Sequence, residues 1–275
     1  MGDISIGIPF VGGYYHGTLC SSVGDSLGMS PIIEKLNELH QQKIVVCTAV
    51  PELFLNNPFV KEISSDLNPT IRLEPCRFVA CNIIQHYASQ TGVEVPREIR
   101  PKIYLSPEEI EYGKKIVEEF GGSKIITVST ETGYDSKNLR DNYIAPFFDR
   151  LREEGYKLIG LGLNVRKYYD KYNKSFINAT TLRQAISIIN ASDLFLGIDN
   201  GLFHIAAALD VPQVIFFRNN LSSNNAYPNT FFIDSKIKCQ GDCLNHRPKC
   251  HAIARCMDNF DLDGYFELIT EQLNK

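Results

Sequence analysis

Residues 192–217, SDLFLGIDNGLFHIAAALDVPQVIFF, constrain the fold more than any other stretch of the chain. The apolar run from Leu194 to Ile198 reads as a buried strand, and Val211–Phe217 as a second one. Between them lie a tight turn at Asp199-Asn200-Gly201 and a short helix, so the whole is a strand–helix–strand unit. A helix N-terminus presents unpaired N–H groups and a positive dipole end, which suits an anion such as a diphosphate. His204 falls in the first helical turn. Helical side chains lean toward the N-terminus, so its ring is expected back over that anion site. Ala206, Ala207 and Ala208 let the helix sit close to its sheet. The same pattern also fits a plain structural unit whose histidine is a capped or core residue.

The rest of the chain alternates in the same way. Residues 3–10 read as a first strand ending at Pro9, followed by a Gly-rich loop over Val11–Gly24. Ser30–Leu39 is an amphipathic helix with Pro31 near its start, and Lys43–Thr48 is a continuous β-branched run. Glu52–Leu55 suggests a short helix, Val60–Ile63 a strand or turn, and Phe78–Ser89 a helix. Two prolines and several charges at Val95–Tyr104 mark a domain boundary. Ser106-Pro107-Glu108-Glu109 then opens a helix. Strands are expected at Lys124–Ser129, Lys157–Leu163 and Phe176–Ile177, and helices at Asn142–Glu154, Thr181–Asn190 and Asp258–Asn274. Such alternation predicts parallel sheets, with ligands at the carboxyl ends of strands and a cleft between two α/β domains. The expected layout is an acceptor-side domain over 1–100, a donor-binding domain over 101–257 and a closing helix over 258–275.

Composition narrows the function. The net charge of −4 gives no global drive toward nucleic acid. No apolar run approaches the roughly 20 residues of a membrane span, and MGDISIGIPF lacks the basic start and long apolar core of a signal peptide. A cytoplasmic protein, in solution or peripheral to a membrane, is expected. Of eight cysteines, Cys239, Cys243, Cys250 and Cys256 crowd into one segment. Four thiolates at that spacing suit one tetrahedral zinc or iron site, with His246 and His251 as substitute ligands; two disulfides or reduced thiols are the alternatives.

Several segments together resemble glycosyltransferase family 9, the ADP-heptose:lipopolysaccharide heptosyltransferases. The most specific is Asp199-Asn200-Gly201-Leu202-Phe203-His204-Ile205-Ala206-Ala207-Ala208, similar to the family pattern D-S/T-G-x-x-H-x-A-A-A. Gly24-Asp25-Ser26-Leu27 leading to Ser30-Pro31 is similar to the family's early Gly-Asp segment. Ile125–Lys137 resembles its donor-binding loop with a lysine, and Cys256-Met257 the end of its Cys-rich stretch, a place where iron is associated with a related branch. The resemblance implies an α/β, GT-B-like architecture: two Rossmann-like parallel-sheet domains facing a central cleft, the N-terminal one reduced.

It also implies transfer of a sugar, heptose or a relative, from a nucleotide-diphosphate donor with inversion. An ADP-sugar is favoured as donor and no catalytic metal is expected. The acceptor would be a glycan, a lipid-linked saccharide or a protein. By this resemblance Asp25 is the general base, on a loop after the first strand; the other reading makes it a helix cap. The diphosphate would be held by N–H groups around Gly201, by Lys137 and by His204. Thr130 and Thr132 would donate hydroxyl hydrogen bonds, Asp199 would orient the turn or meet the sugar, and Asn164 would reach the ribose. Lys137 and the two threonines also fit plain loop polarity. Asn200 is expected at the donor as well, its amide standing where the family carries a Ser or Thr hydroxyl, and Arg218 stands where the family carries Gly. Asp261-Leu262-Asp263 has the form of a metal motif but opens the last helix, where carboxylates cap. Other functions on such a fold are a sugar-nucleotide-binding module without catalysis, or an epimerase or hydrolase.

Overall fold

A computed structural model describes residues 2–9, 18–75, 82–133, 137–163, 169–217, 226–233 and 256–275. The chain divides into two compact units, Met1–Ser106 and Pro107–Lys275.

The first unit is built on a four-stranded sheet of β1 (Ser5–Gly7), β2 (Ile44–Cys47), β3 (Val60–Ser64) and β4 (Ile71–Arg72), in the order β3-β2-β1-β4. All its pairings are parallel, with Ile6 level with both Val46 and Ile71. Its helices are α1 (Val23–Gly28), α2 (Ser30–His40) and α3 (Ile83–Thr91). Pro31 lies at the start of α2, where its missing N–H costs nothing, and Gln41 ends the helix in the left-handed region. Ile6, Leu27, Ile32, Ile33, Val46, Ile84 and Tyr87 form the core.

Among the described residues the second unit carries six strands: β5 (Ile125–Ser129), β6 (Lys157–Gly160), β7 (Lys174–Ser175), β8 (Leu194–Ile198), β9 (Gln213–Phe216) and β10 (Thr230–Phe231). They lie in the order β10-β9-β8-β5-β6-β7, every pair parallel. In chain order this is the doubly wound 3-2-1-4-5-6 arrangement, whose strand order reverses between β5 and β8. Its helices are α4 (Pro107–Glu118), α5 (Asp141–Glu153), α6 (Leu182–Asn190), α7 (Gly201–Ala208) and α8 (Leu262–Leu273).

Successive strand residues point to opposite faces, and here both faces are covered. Ile126, Leu158, Leu196, Val214 and Phe216 pack with Phe148 and Leu151 of α5 and Tyr265 and Ile269 of α8. On the other face α7 lies against β8 and β9, α6 against α7, and α4 against α6. This double burial is why β8 reads as an unbroken apolar run rather than an alternating one, and why every residue of β5 is buried, Thr127 and Ser129 included. Among the described residues no helix is long and apolar enough to cross a membrane.

Most predicted elements recur with shifted ends. Val23 and Gly24, the end of the expected Gly-rich loop, are helical together with residues 25–28: Ser22 accepts from the Asp25 N–H and starts α1. The strand expected at Phe176–Ile177 is instead Lys174–Ser175, held level with Ile159 and Gly160. The last regular helix starts after Asp261, whose carboxylate accepts from the Gly264 N–H, as capping acids do. β4 and β10 contain two residues each, too few for any pattern to show. Of the expected helix 78–89, residues 78–81 lie outside the described residues; Asn82 caps the remainder through the Ile84 N–H.

Two contacts fasten α4 to α6. Arg183 makes a forked ion pair with Glu109, with its Nε at 2.5 Å from Oε1. A Cβ on Gly113 would stand only 2.0 Å from the Ser187 carbonyl oxygen, a backbone atom that cannot swing aside. Helix propensity alone makes Gly→Ala stabilising by about 1 kcal/mol, whereas overpacking costs roughly 1–3 kcal/mol. We expect Gly113→Ala to lower stability by about 1–2 kcal/mol in urea unfolding, overpacking outweighing propensity. A variant as stable as wild type would show that the two helices do not touch there.

Candidate functional site

The carboxyl ends of β5 and β8 meet at the point where strand order reverses, which is where open α/β sheets take their ligands. Ser129 lies level with Gly197 at the end of this ladder. A Cβ on Gly197 would come within 2.7 Å of the Ser129 carbonyl oxygen, so glycine is what lets the two strands close up here. After β5 the chain runs through Thr130–Asn138 toward α5; after β8 it turns at Asp199-Asn200 into α7.

Two predicted residues, 62 positions apart, form the centre of the site. Lys137 Nζ donates to Asp199 Oδ2 at 2.8 Å and to the Asp199 carbonyl at 3.3 Å. The pair is shielded, its side chains 15% and 8% exposed. An ammonium has three N–H donors, and among the described residues two acceptors meet this one. His204 brings Nε2 to 4.0 Å from Asp199 Oδ1, on the other side of the same carboxylate. Its Nδ1 is 2.8 Å from the Tyr227 hydroxyl, and its ring packs on Phe203 at 4.8 Å between centroids. One carboxylate thus faces two basic groups at the mouth of a helix whose dipole also favours negative charge.

Asn200 caps α7: its Oδ1 accepts from the N–H groups of Leu202 and Phe203. This corrects the expectation of an open helix N-terminus. Two of its donors are already spent on the asparagine side chain, as at a capped helix start; the Gly201 N–H lies outside the cap. Thr130 is 2% exposed, and its hydroxyl has no hydrogen-bond partner among the described residues. Thr132 instead meets Asn138 through its backbone, its N–H donating to Oδ1 at 2.7 Å and its carbonyl accepting from Nδ2 at 3.1 Å. That exchange closes the loop that presents Lys137.

Asp25 lies within α1 and not on a loop, which corrects the earlier placement, because Ser22 rather than Asp25 provides the cap. Its Oδ2 is 3.9 Å from the Cys20 sulfur. Burial, with the Asp25 charge as a lesser cause, pushes the Cys20 thiol up to about 12, so it stays protonated at neutral pH. Asn164, Cys239, Cys243 and Cys250 lie outside the described residues, as does the side chain of Cys256. Among the described residues no group of three or more His, Cys, Asp or Glu side chains is placed to hold a metal ion.

Ser129, Asn138 and Tyr227 escaped the sequence reading. Ser129 left a trace, a polar residue closing the run IITV. Tyr227 left none, since it lies 23 residues from His204 and the two meet only through the fold.

Residues 86–228 match the model of glycosyltransferase family 9 (heptosyltransferase), over half of the 275-residue chain. The protein belongs to that family. Solved structures agree on the fold, although identity is low. The glycosyl transferase family 9 protein from Veillonella parvula DSM 2008 superposes with a TM-score of 0.75 at 12% identity, covering 100% of this chain and 98% of that one. The E. coli ADP-heptose lps heptosyltransferase II gives 0.72 at 15% identity, covering 100% and 99%. E. coli heptosyltransferase WaaC with ADP gives 0.64 at 9% identity, covering 99% and 100%. These likenesses support the GT-B-like two-sheet α/β fold over the full length. No curated protein matches the sequence.

The buried ion pair makes a stability prediction. Asp199→Ala would leave the Lys137 ammonium without its carboxylate and cost roughly 2–4 kcal/mol. Combining it with Lys137→Met should cost less than Asp199→Ala alone, measured by urea unfolding. Losses that simply add would show that the two charges are not a coupled pair.

Proposed function

We propose that this protein is an inverting glycosyltransferase that moves a sugar from an ADP-sugar to an acceptor hydroxyl. The observation that carries the reading is the Lys137–Asp199–His204 constellation at the strand-order reversal, inside the segment that matches the family. Related heptosyltransferases are described with ADP and ADP-heptose, which favours adenine as the base and a heptose or similar sugar as the cargo.

The chemistry needs a base for the acceptor proton and stabilisation of the departing diphosphate. Asp25 takes the proton as the acceptor oxygen attacks the anomeric carbon from the face opposite the nucleotide. The bond to the diphosphate breaks, and its electron pair leaves with the phosphate oxygen. Lys137 meets the growing charge with its remaining N–H, held in place by Asp199. A lysine on a flexible stem can follow a phosphate as it departs. The Thr130 hydroxyl and the Gly201 N–H donate to further phosphate oxygens, and Asp199 faces the sugar. A glycan, a lipid-linked saccharide or a protein hydroxyl serves as acceptor.

The test is a panel of ADP-, GDP-, UDP- and dTDP-sugars scored by thermal shift. A ligand at a hundred times its Kd stabilises the fold by about 2.7 kcal/mol, so the ADP-sugar should raise Tm clearly and the others less. No shift with any member would end the donor assignment. Asp25→Asn should keep the shift and lose transfer by about 10²–10⁴-fold. Undiminished product would remove Asp25 as the base, and binding without any transfer in wild type would favour a non-catalytic sugar-nucleotide binder.

A further inference from the structure

Asn200 divides its hydrogen bonds between two elements that are far apart in sequence. Its Oδ1 accepts from Leu202 N–H at 3.0 Å and from Phe203 N–H at 3.1 Å, closing the start of α7. Its Nδ2 donates to Ser129 Oγ and to the Glu131 carbonyl, each at 3.0 Å, with the Ser129 carbonyl at 3.4 Å. Chemistry fixes which way the amide faces: donors surround the oxygen, and acceptors surround the nitrogen. β5 ends at Ser129, so the asparagine takes over just where the strand ladder stops.

Between the two residues it holds lies Thr130. This hydroxyl is buried and has no hydrogen-bond partner among the described residues. Leaving a buried polar group unpaired is costly, and such a group calls for an explanation, a bound ligand being one. Thr130 can keep one position only if its neighbours on both sides are fixed, and Asn200 fixes both.

We propose that Asn200 is the positioning residue of the donor site: it locks the segment after β5 to the start of α7, and so holds the Thr130 hydroxyl ready for a ligand oxygen before any donor arrives. This rests on reading the strand-order reversal as the donor site. Two substitutions separate the lock from the cap. Asn200→Asp caps α7 as well as asparagine does, but turns a second oxygen toward the Glu131 and Ser129 carbonyls, which have no proton to donate. Asn200→Ser also caps, but is too short to span to the other segment.

The experiment uses the full chain in three forms: wild type, Asn200→Asp and Asn200→Ser. Hydrogen exchange without ligand should quicken in peptides covering 129–138 in both variants, with those across α7 changing less. ADP binding by calorimetry should weaken on the order of tenfold in each. Thr130→Val should weaken ADP binding in wild type, yet add little on top of Asn200→Asp. A residue that merely stabilised the fold would not produce that coupling. Should the aspartate variant fail to fold, the serine variant carries the same comparison. Unchanged exchange and unchanged ADP affinity, or fully additive effects of Thr130→Val and Asn200→Asp, would overturn the proposal. If ADP does not bind wild type at all, the donor-site reading fails and the ligand role of Thr130 with it. The exchange data then still decide whether Asn200 locks the segment.

Discussion

The parallel pairing of β5 with β8 is the constraint from which the candidate site follows. Ile126–Ser129 run level with Leu194–Gly197, and both strands are buried throughout. Because the strands are parallel, the two loops that leave them emerge at the same end of the sheet. Because strand order reverses between them, the crossovers diverge to opposite faces, the arrangement that in open α/β sheets forms a ligand crevice at the strand ends. Lys137 and Asp199 meet there across 62 residues of sequence, and Asn200 ties the same two segments a second time. Everything that distinguishes this place chemically is therefore set by one strand ladder and the apolar packing on both its faces.

The site balances its charges before any ligand is present. A shielded lysine and carboxylate satisfy one another, and a histidine held by a tyrosine flanks the carboxylate. Side-chain amides do the remaining construction: Asn138 closes the loop under Lys137, and Asn200 joins that loop to α7. These neutral donors and acceptors fix backbone segments without adding charge that would compete with a diphosphate. Among the described residues, one lysine N–H, the Thr130 hydroxyl and the Gly201 N–H are not taken up by these bonds. An anion would complete this arrangement without displacing any of the bonds that build it.

Much of this was legible in the amino-acid sequence. Continuous apolar runs such as LFLGI, followed by Asp199-Asn200-Gly201 and a helix, announce a buried parallel strand and the turn after it. Lys137, Asp199 and His204 could be singled out from their surroundings and the family pattern, and the structure brings all three together. What could not be read depends on long-range geometry. Tyr227 reaches His204 from a segment 23 residues away, and Asn138 acts through a loop closure that no periodicity reveals. The helix around Asp25 was obscured because Gly24 and Gly28 look like loop residues, while a single serine cap and the burial of Leu27 suffice to wind it.

The central claim is that the ends of β5 and β8 bind a nucleotide diphosphate. Amide chemical shifts followed by ¹H–¹⁵N spectroscopy during an ADP titration test it most directly. The largest changes are expected at Thr130, Lys137 and Gly201, saturating together with a single affinity. Saturable binding that leaves these three amides unmoved and shifts only residues of Met1–Ser106 would contradict it.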